Sequence, residues 1–350
     1  MSAPKMTIVI PTLNRAKLVG RAVASAVAQT CPDLEILVSD NGSRDNTMEV
    51  LETYASDPRV RILHRGTTIP MHDHANFLLE QARGELYVGL SDDDWLEPDM
   101  AAKTIARFEA DPSLSLVWTG CLMHYGDLAM PALVGPEVET GEDFLRAFLA
   151  GKRNPCWCAC VARRKDLLDL GRQPEGTLCG DMFYWTKLAM RGRVGCVRDA
   201  LCHYVCYRPG GDGVSGGTPI RAWTADQTLW VRDMLAFCGG RIPWSCSPIE
   251  IDREAARFMA RTIATQFAWN LLRGMPRLRL WRDLGPSVPF LMQGSPRNWI
   301  SVAGALLAPR WLLRSRVLAE VARRAKARSS PETQQTEVSC RLNASFHSRA

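Results

Sequence analysis

The sequence predicts an α/β fold in which a mostly parallel central sheet carries helices on both faces. Between residues 6 and 119, short apolar runs alternate with segments whose apolar residues recur every three or four positions, as in βαβ units. Polar clusters directly follow several of the apolar runs. Because such sheets bind ligands beyond the carboxyl ends of their strands, the clusters also predict a binding site at one sheet edge.

The predicted elements follow one another in a regular order. Strands are expected at 6–10, 33–40, 60–63, 86–90 and 114–119, where apolar and β-branched residues are dense. Helices with an apolar stripe are expected at 16–29, 47–54, 74–82 and 99–110. Further along the chain we predict a strand at 154–161 and helices at 180–190 and 251–273.

Positive charge is concentrated in one C-terminal segment. Residues 273–328 contain twelve arginine or lysine residues and two acidic ones, whereas the whole chain of 350 residues has a net charge of +6. The segment also contains Trp281, Trp299 and Trp311, and a basic segment rich in Trp and Leu is typical of anionic membrane surfaces. Its longest apolar stretch, 299–308, is too short to span a bilayer. We expect contact with a membrane surface, with a solvated basic face as the alternative, and no nucleic-acid partner.

These patterns divide the chain into three predicted parts. Residues 1–220 form the α/β domain, residues 221–328 form a basic, Trp-rich helical appendage, and the polar residues 329–350 form a disordered tail.

The cysteines indicate a reducing environment. All twelve are scattered along a long chain, and no apolar leader precedes the first strand, so we expect a cytoplasmic location. Cys156, Cys158 and Cys160 alternate like one face of a strand, which favours a small apolar surface over a zinc site with its Cys-x2-Cys spacing.

Three consecutive carboxylates, Asp92, Asp93 and Asp94, follow the strand predicted at 86–90. Oxygen ligands of this kind bind hard divalent cations, which often keep phosphate as a further partner. A charged surface loop is the alternative, but the triplet adjoins an apolar strand and is followed at once by Trp95. The sequence therefore predicts a metal–diphosphate site here.

Polar residues also end the first two strands. Pro11-Thr-Leu-Asn-Arg15 follows the first strand and Asp40-Asn-Gly-Ser43 follows the second. Since parallel strands share a carboxyl edge, we expect both clusters to converge with the carboxylate triplet.

Together these segments resemble the family 2 glycosyltransferases of the GT-A fold. The similar segments are Val-Ile-Pro-Thr-Leu-Asn-Arg (9–15), Leu-Val-Ser-Asp-Asn-Gly-Ser-Arg-Asp-Asn-Thr (37–47), Ala-Arg-Gly-Glu-Leu-Tyr (82–87) and Leu-Ser-Asp-Asp-Asp-Trp-Leu-Glu-Pro (90–98). The resemblance covers roughly residues 6–215. It implies a GT-A nucleotide-sugar-binding fold and inverting sugar transfer from a nucleotide-diphosphate donor, with Mg²⁺ or Mn²⁺ as cofactor.

The resemblance also implies a role for each cluster. Thr12 and Asp40 would hold the nucleotide base, with Asp40 accepting from its NH. Asp92 or Asp93 would contact the ribose, and Asp94 of this DXD motif would bind the metal. The remaining nucleotide-sugar-binding candidates are Pro11, Asn14, Arg15 and Asn41, although Arg15 also suits a solvated helix start.

An inverting transfer needs a general base to take the acceptor's proton. In the family this is the aspartate of a Glu-Asp pair that begins a helix ending in Leu-Ala-x-x-Gly. The segment from Gly180 to Gly192 is similar, with Gly180 in place of the glutamate. The resemblance implies Asp181 as the base, and a helix-capping aspartate is the alternative.

A second departure follows this helix. Tyr207-Arg208 with Ser215 resembles the family's Tyr-Arg-x-His…Ser segment, but position 210 is glycine. His203, Asp212 or neither would complete the metal shell. The glycine-rich loop at 209–217 is interpreted as a lid over the site or a linker. Three aromatic residues are acceptor platforms or core residues, namely Trp157, Tyr184 and Trp185.

The sequence thus predicts a hexosyltransferase-type glycosyltransferase of cell-surface glycan or polysaccharide synthesis. A UDP-sugar is the favoured donor, and a glycan or lipid-linked glycan at the cytoplasmic face of the inner membrane is the expected acceptor. A sugar nucleotidyltransferase is one alternative, but the loop at 11–15 lacks the glycines such enzymes carry. A degenerate, non-enzymatic nucleotide-binding protein is the other.

Overall fold

The computed structural model describes residues 3–126, 128–207, 219–241, 248–272, 275–288 and 302. Within these residues the centre is a ten-stranded sheet. The strands are β1 Met6–Thr12, β2 Leu34–Asp40, β3 Val60–His64, β4 Leu86–Gly89, β5 Trp95–Leu96, β6 Leu114–Tyr125, β7 Leu128–Pro131, β8 Val138–Thr140, β9 Cys160–Arg163 and β10 Arg193–Tyr207.

Helices cover both faces of the sheet and extend beyond it. They are α1 Val19–Val27, α2 Thr47–Glu52, α3 Met71–Gln81, α4 Met100–Ala110, α5 Gly141–Leu149, α6 Arg164–Leu170 and α7 Gly180–Arg191. They continue with α8 Ile220–Arg241, α9 Pro248–Leu272 and α10 Arg277–Leu284.

The strand order is β3-β2-β1-β4-β9-β6-β10-β5, with β7 on β6 and β8 on β10. Strands β3, β2, β1 and β4 pair in parallel, and β6 pairs in parallel with β10. Between these two groups, β9 runs antiparallel to both β4 and β6. The predicted, mostly parallel α/β sheet is confirmed, and the ends of β1 and β2 meet where Thr12 pairs with Asp40.

Two apolar layers hold the sheet between helices. In β1, Ile8 and Ile10 face α1 and α4, whereas Val9 faces the layer of α3, α5 and α7. This alternation follows from the two-residue period of a strand. It explains why the central strands are apolar throughout, since both of their faces are buried.

The prediction of a strand at 154–161 was wrong in its position. Residues Trp157–Ala159 form a 3₁₀ turn, and β9 begins only at Cys160. Because the turn breaks the strand alternation, Cys156 and Cys158 pack on the α1/α4 side and Cys160 packs on the opposite side. The three cysteines are buried, as expected, but they do not share one face.

The long strand β10 was not anticipated, and helix α8 was expected only as an unspecified part of the helical appendage at 221–328. Polar residues interrupt the apolar pattern of both, and their stability comes from contacts with distant segments. In α8, Trp230 packs with α5, and its indole NH donates to Thr186 Oγ1 of α7 over 3.2 Å. The division at residue 220 stays a prediction, since α8 begins there but shares a core with α7.

Several predicted segments lie outside the described residues. These include the proposed lid at 209–217, Asp212 and Ser215, most of the basic segment, and the tail at 329–350. In the part of the chain that is described, no helix combines the length and apolar composition needed to cross a bilayer.

Candidate active site

The loops that follow β1 and β2 are locked together. Asn14 has a φ of 55°, a left-handed conformation that asparagine tolerates better than most residues. Its backbone NH donates to Ser43 Oγ over 2.7 Å, and its side-chain oxygen accepts from Arg44 N over 2.8 Å. The predicted candidate Asn14 therefore fixes the geometry of the edge where Thr12 and Asp40 end their strands.

Asp40 and Asn41 are buried at this edge. Asp40 accepts from Ser43 N over 3.1 Å and lies 2.8 Å from His64 Nδ1. The carboxamide of Asn41 donates to Ile69 O over 2.9 Å and accepts from Ile69 N over 3.1 Å. Both side chains thus organise the loops after β2 and β3, and their predicted roles in nucleotide binding stay predictions.

The structure brings Asp92 onto the β1 loop. Thr12 Oγ1 donates to Asp92 Oδ2 over 2.8 Å, and Arg15 Nε lies 3.8 Å from Asp92 Oδ1. Burial raises the pKa of Asp92 to about 6, although its hydrogen bond with Thr12 and the positive charge of Arg15 oppose the rise. The predicted site residues Thr12, Arg15 and Asp92 therefore form one connected group. Pro11 lies beside them in the sheet, paired with Ser39.

Asp94 is the most deeply buried of the three carboxylates, with 1% of its surface exposed. Its Oδ1 accepts from Val205 N over 2.8 Å, whereas Oδ2 has no hydrogen-bond partner among the described residues. Burial, together with the charge of Asp93, raises the pKa of Asp94 well above its usual value. An unpaired buried carboxylate oxygen is unfavourable unless a cation offsets it. The residues present therefore fit a divalent cation.

Asp93 is half-buried, whereas Asp94 is buried. Its backbone carbonyl accepts from Arg21 Nη2 over 2.6 Å, and the same guanidinium stacks 3.7 Å from the ring centre of Trp95. Arg21 thus fixes the backbone of the triplet from helix α1.

His203 belongs to a separate polar chain. Its Nε2 lies 2.7 Å from Glu97 Oε1, its Nδ1 lies 3.0 Å from His124 Nε2, and its ring stacks on Trp95 at 4.4 Å. Both ring nitrogens are engaged away from Asp94. His203 therefore braces Trp95, and the completion of the metal shell by His203, by Asp212 or by neither stays a prediction.

Asp181 lies in the first turn of α7 and is partly exposed. Its Oδ1 accepts from Met182 N over 2.9 Å. Burial, reinforced by the negative charge of Asp226, raises the pKa of Asp181 to about 7. A carboxyl group that titrates near neutrality is suited to accept a proton.

The approach to α7 is anchored by Asp226, a residue that the sequence reasoning missed. Asp226 of α8 is buried and accepts from Leu178 N over 2.6 Å and from Cys179 N over 3.3 Å. Backbone groups ahead of α7 are therefore satisfied from α8, whereas Asp181 accepts from an NH of the first turn itself, so a base and a helix cap both stay predictions for Asp181. Asp226 belongs to no motif, and the bounds of α8 were not predicted within the helical region 221–328.

Tyr204 of β10 connects the two halves of the site. Burial raises the pKa of its phenol well above the usual value, and the charges of Asp94 and Asp181 both add to this rise. Tyr204 is therefore within electrostatic reach of both carboxylates. The predicted metal ligand and the predicted base thus both act on one buried side chain, and their roles stay predictions.

The three aromatic candidates separate in the structure. Tyr184 and Trp185 are buried in the core, and the Tyr184 hydroxyl donates to Gly171 O over 3.1 Å. Trp157 is partly exposed and lies over Gly89 at the end of β4, where an added Cβ would stand 1.9 Å from the ring. Of the three, Trp157 has the position and exposure of a sugar platform.

A second group of potential metal ligands lies in the core. The Sγ atoms of Cys121, Cys158 and Cys202 are within 4.8 Å of one another, and all three residues are buried. Hydrogen bonding with Cys156 and with the neighbouring thiols raises the pKa of Cys121 well above its usual value. Although burial opposes the change, hydrogen bonding with Cys121 and Cys158 lowers the pKa of the Cys202 thiol well below its usual value, so the three thiols do not titrate alike.

Comparison with known proteins identifies the domain that carries this site. The model of the family described as "Glycosyl transferase family 2" matches residues 7–169, which include the β1 and β2 loops and the carboxylate triplet. The chain carries a family 2 glycosyltransferase domain. The predicted resemblance is confirmed, and the matched residues end before Asp181.

The glycosyltransferase domain is similar to parts of other enzymes. It is 39% identical over 118 residues to the chondroitin synthase of Escherichia coli, a match that covers 33% of this chain and 17% of the synthase. It is 34% identical over 168 residues to the PGL/p-HBAD biosynthesis glycosyltransferase of Mycobacterium bovis, covering 47% of this chain and 61% of that protein. The chain therefore spans less than two thirds of either relative.

Solved structures share the fold over most of the chain. S. aureus TarS 1–349 in complex with UDP-GlcNAc aligns with a TM-score of 0.62 and 18% identity, over 97% of this chain and 92% of TarS. The mannosyltransferase PcManGT from Pyrobaculum calidifontis, in complex with GDP-Man and Mn²⁺, has a TM-score of 0.54 and 20% identity over 87% and 86%. The predicted GT-A type fold of the glycosyltransferase domain is confirmed.

Proposed function

We propose that the chain transfers a sugar from a nucleoside-diphosphate sugar to an acceptor hydroxyl with inversion. The observation that carries the proposal is the buried, unpaired oxygen of Asp94 within the family 2 glycosyltransferase domain. Asp94 is buried and fits a cation, whereas Asp181 is partly exposed and titrates near neutrality. These are the two chemical groups that an inverting transfer needs on opposite sides of the sugar.

On the donor side, Thr12 and Asp40 bind the base, and Asp92 or Asp93 contacts the ribose. Asp94 would hold Mg²⁺ or Mn²⁺, which when bound offsets the charge of the diphosphate leaving group. A UDP-sugar is the favoured donor, since the fold is shared with a UDP-GlcNAc complex, and a GDP-sugar is the alternative from the GDP-Man complex. The locked loops around Asn14 support this assignment because they present these residues in a fixed arrangement.

On the acceptor side, Asp181 takes the hydroxyl proton. The acceptor oxygen forms its bond to the anomeric carbon as the bond to the diphosphate breaks, and the proton moves to Asp181. Oδ1 already accepts from Met182 N, so Oδ2 is the oxygen assigned to the proton. A pKa of about 7 leaves much of Asp181 ionised at neutral pH and still basic enough to accept it.

The test uses the purified full chain with UDP- and GDP-sugars, with and without Mn²⁺, and a panel of p-nitrophenyl glycosides as acceptor probes. Mass spectrometry should show a glycosylated probe and a released nucleoside diphosphate. For the variant Asp181→Asn in this assay, Asp169→Asn is the matched control, since Asp169 is an exposed aspartate on α6.

The alternatives give different results in the same assay. Synthesis of a nucleotide sugar from a nucleoside triphosphate and a sugar phosphate, with release of pyrophosphate, would establish a nucleotidyltransferase instead. Nucleotide binding without turnover of any donor would favour the non-enzymatic alternative.

The acceptor is proposed to be a glycan or lipid-linked glycan in cell-surface glycan synthesis. Support comes from α10, where Leu278 and Trp281 are 64% and 54% exposed beside the exposed Arg279 and Arg282. The opposite side of this helix packs into the core through Leu280 and Leu284. A basic, apolar surface of this kind suits peripheral contact with the anionic cytoplasmic face of the inner membrane.

Vesicle sedimentation tests this membrane contact. The protein should bind vesicles that contain phosphatidylglycerol, leave them at high salt because charge is screened, and bind less after Trp281→Ala. Leu168→Ala, which removes another exposed apolar side chain, should have no effect. Equal binding to purely zwitterionic vesicles would remove the electrostatic part of the proposal.

A further inference from the structure

Gly180 makes room for a side chain from another segment. The family resemblance implies a glutamate at this position. Here a Cβ on residue 180 would stand 1.9 Å from Oε1 and 2.5 Å from Nε2 of Gln173. The Gln173 carboxamide therefore occupies the space at the start of α7 that a side chain of residue 180 would enter. Residue 180 directly precedes Asp181 in the chain.

The backbone of Gln173 is fixed from two sides. Its NH donates to Asn76 Oδ1 over 2.8 Å, and Asn76 Nδ2 donates back to Gln173 O over 3.3 Å. Asn76 lies on α3 and is 3% exposed. On the other side, Tyr184 of α7 donates to Gly171 O. Because both anchors are buried, the side chain of Gln173 starts from a defined point beside α7.

Among the described residues, the carboxamide of Gln173 makes no hydrogen bond. Gln173 is 9% exposed, and the hydrogen bonds of this residue all involve its backbone. The oxygen and nitrogen of its amide are not fully enclosed, so they can reach a ligand at the start of α7. An amide can make up to four hydrogen bonds, and this one, which contacts the residue just before a partly exposed carboxylate, is placed to bind a ligand there.

We propose that the Gln173 carboxamide binds a hydroxyl of the sugar acceptor and positions it against Asp181. This inference rests on the proposed transferase function and assigns one residue of its acceptor site. The amide can donate to one acceptor oxygen and accept from another hydroxyl. Unlike a carboxylate at residue 180, it adds no negative charge next to the base.

The charges around Asp181 make this neutrality important. Asp226 of α8 already contributes a negative charge. The other titratable groups that sense Asp181 are the thiols of Cys156, Cys160 and Cys179 and the phenol of Tyr204, all with raised pKa values. These groups stay uncharged at neutral pH. A carboxylate at residue 173 would therefore be a second negative charge beside Asp181.

Acceptor kinetics of Gln173→Ala provide the first test. With the p-nitrophenyl glycoside that wild type uses best, the acceptor KM should rise about five- to tenfold, since a buried hydrogen bond is lost. UDP affinity, measured by titration calorimetry with Mn²⁺, should not change. Gln81→Ala, at an exposed glutamine on α3, is the matched control. An unchanged acceptor KM would overturn the inference.

Gln173→Glu provides the second test and needs no sugar acceptor. In donor hydrolysis, water takes the place of the acceptor and Asp181 still accepts the proton. The added carboxyl should shift the acid limb of the pH–rate profile upward by about one pH unit, because like charges raise each other's pKa. Gln173→Ala should not cause this shift. A purely structural role for residue 173 would predict no shift in Gln173→Glu either. An unshifted acid limb in Gln173→Glu would contradict the placement of this side chain beside the base.

Gly180→Ala provides the third test. Its methyl group has to displace the carboxamide, so it should raise the acceptor KM as Gln173→Ala does. The double variant should be no worse than either single variant, since both remove the same interaction. Additive losses would overturn the inference. Absence of donor turnover in wild type would instead overturn the proposed function itself.

Discussion

The donor and acceptor sides of the site are built in different ways. On the donor side, Thr12, Asn14 and Asp92 are tied to one another or to neighbouring loops by direct hydrogen bonds. On the acceptor side, Asp181 has one bond to its own helix, and its surroundings come from Gln173 and Asp226. The family match covers the donor side and ends before the acceptor side.

The difference shows what each side has to do. The proposed donor side would have to recognise a polar nucleotide, which needs donors and acceptors at fixed spacing, and short loops at strand ends supply them. The acceptor side needs a carboxylate that is ionised yet basic, and this requires partial burial rather than a motif. The first requirement is met by local sequence and the second by packing from remote helices.

The largest effect is expected from Asp181→Asn. The amide keeps the shape of the side chain but cannot accept a proton, so sugar transfer should fall by about 10²–10⁴-fold. Donor affinity should stay nearly unchanged, because the proposed donor residues Thr12, Asp40 and Asp94 are not altered. Rate measurements at saturating donor, together with UDP titration, check both parts. Lost donor binding would show that the two sides are not independent, and retained transfer would mean that another group takes the proton.

Asp94→Ala should produce the next largest effect, confined to the donor side. Nucleoside-diphosphate affinity in Mn²⁺ should fall on the order of a hundredfold, since the cation that offsets the diphosphate charge loses its protein ligand. In EDTA the variant and wild type should bind alike. Circular dichroism controls for folding. Unchanged affinity in Mn²⁺ would remove Asp94 from the metal site.

A smaller and metal-independent effect is expected from Asp40→Asn. If Asp40 accepts from the base NH, nucleotide affinity should weaken by about tenfold. The loss should be equal in Mn²⁺ and in EDTA, which distinguishes it from Asp94→Ala. A loss seen only with metal would move Asp40 out of the base pocket.

A further effect concerns stability, which Asp181→Asn should increase. Burial raises the folded-state pKa of Asp181 to about 7 from its usual value of 3.8, so wild type loses stability as pH rises between these values. Asparagine carries no such penalty. The melting temperature of the variant should therefore exceed that of wild type by a margin that grows from about pH 5 to pH 7 and is constant above. Asp169→Asn should show no such pH-dependent margin, and a margin that shrinks with pH would contradict the raised pKa.

Much of the donor side could be predicted because its information is contiguous in the sequence. The strands β1, β2 and β4 are apolar on both faces, and parallel pairing brings their polar ends to one edge. Local patterns failed where a turn broke the alternation, as at Trp157–Ala159, and where long-range contacts stabilise an element, as in β10 and α8.

By itself, the sequence determined the α/β class, the site edge and the identity of Asp181 as a candidate base, since these depend on periodicity and motif. Only the tertiary structure decided the surroundings of that base. Asp226 is 45 positions along the chain from Asp181, and Gln173 reaches the α7 start because residue 180 has no side chain. A pKa depends on burial and on neighbouring charges in space, and neither can be read from the order of residues in the chain.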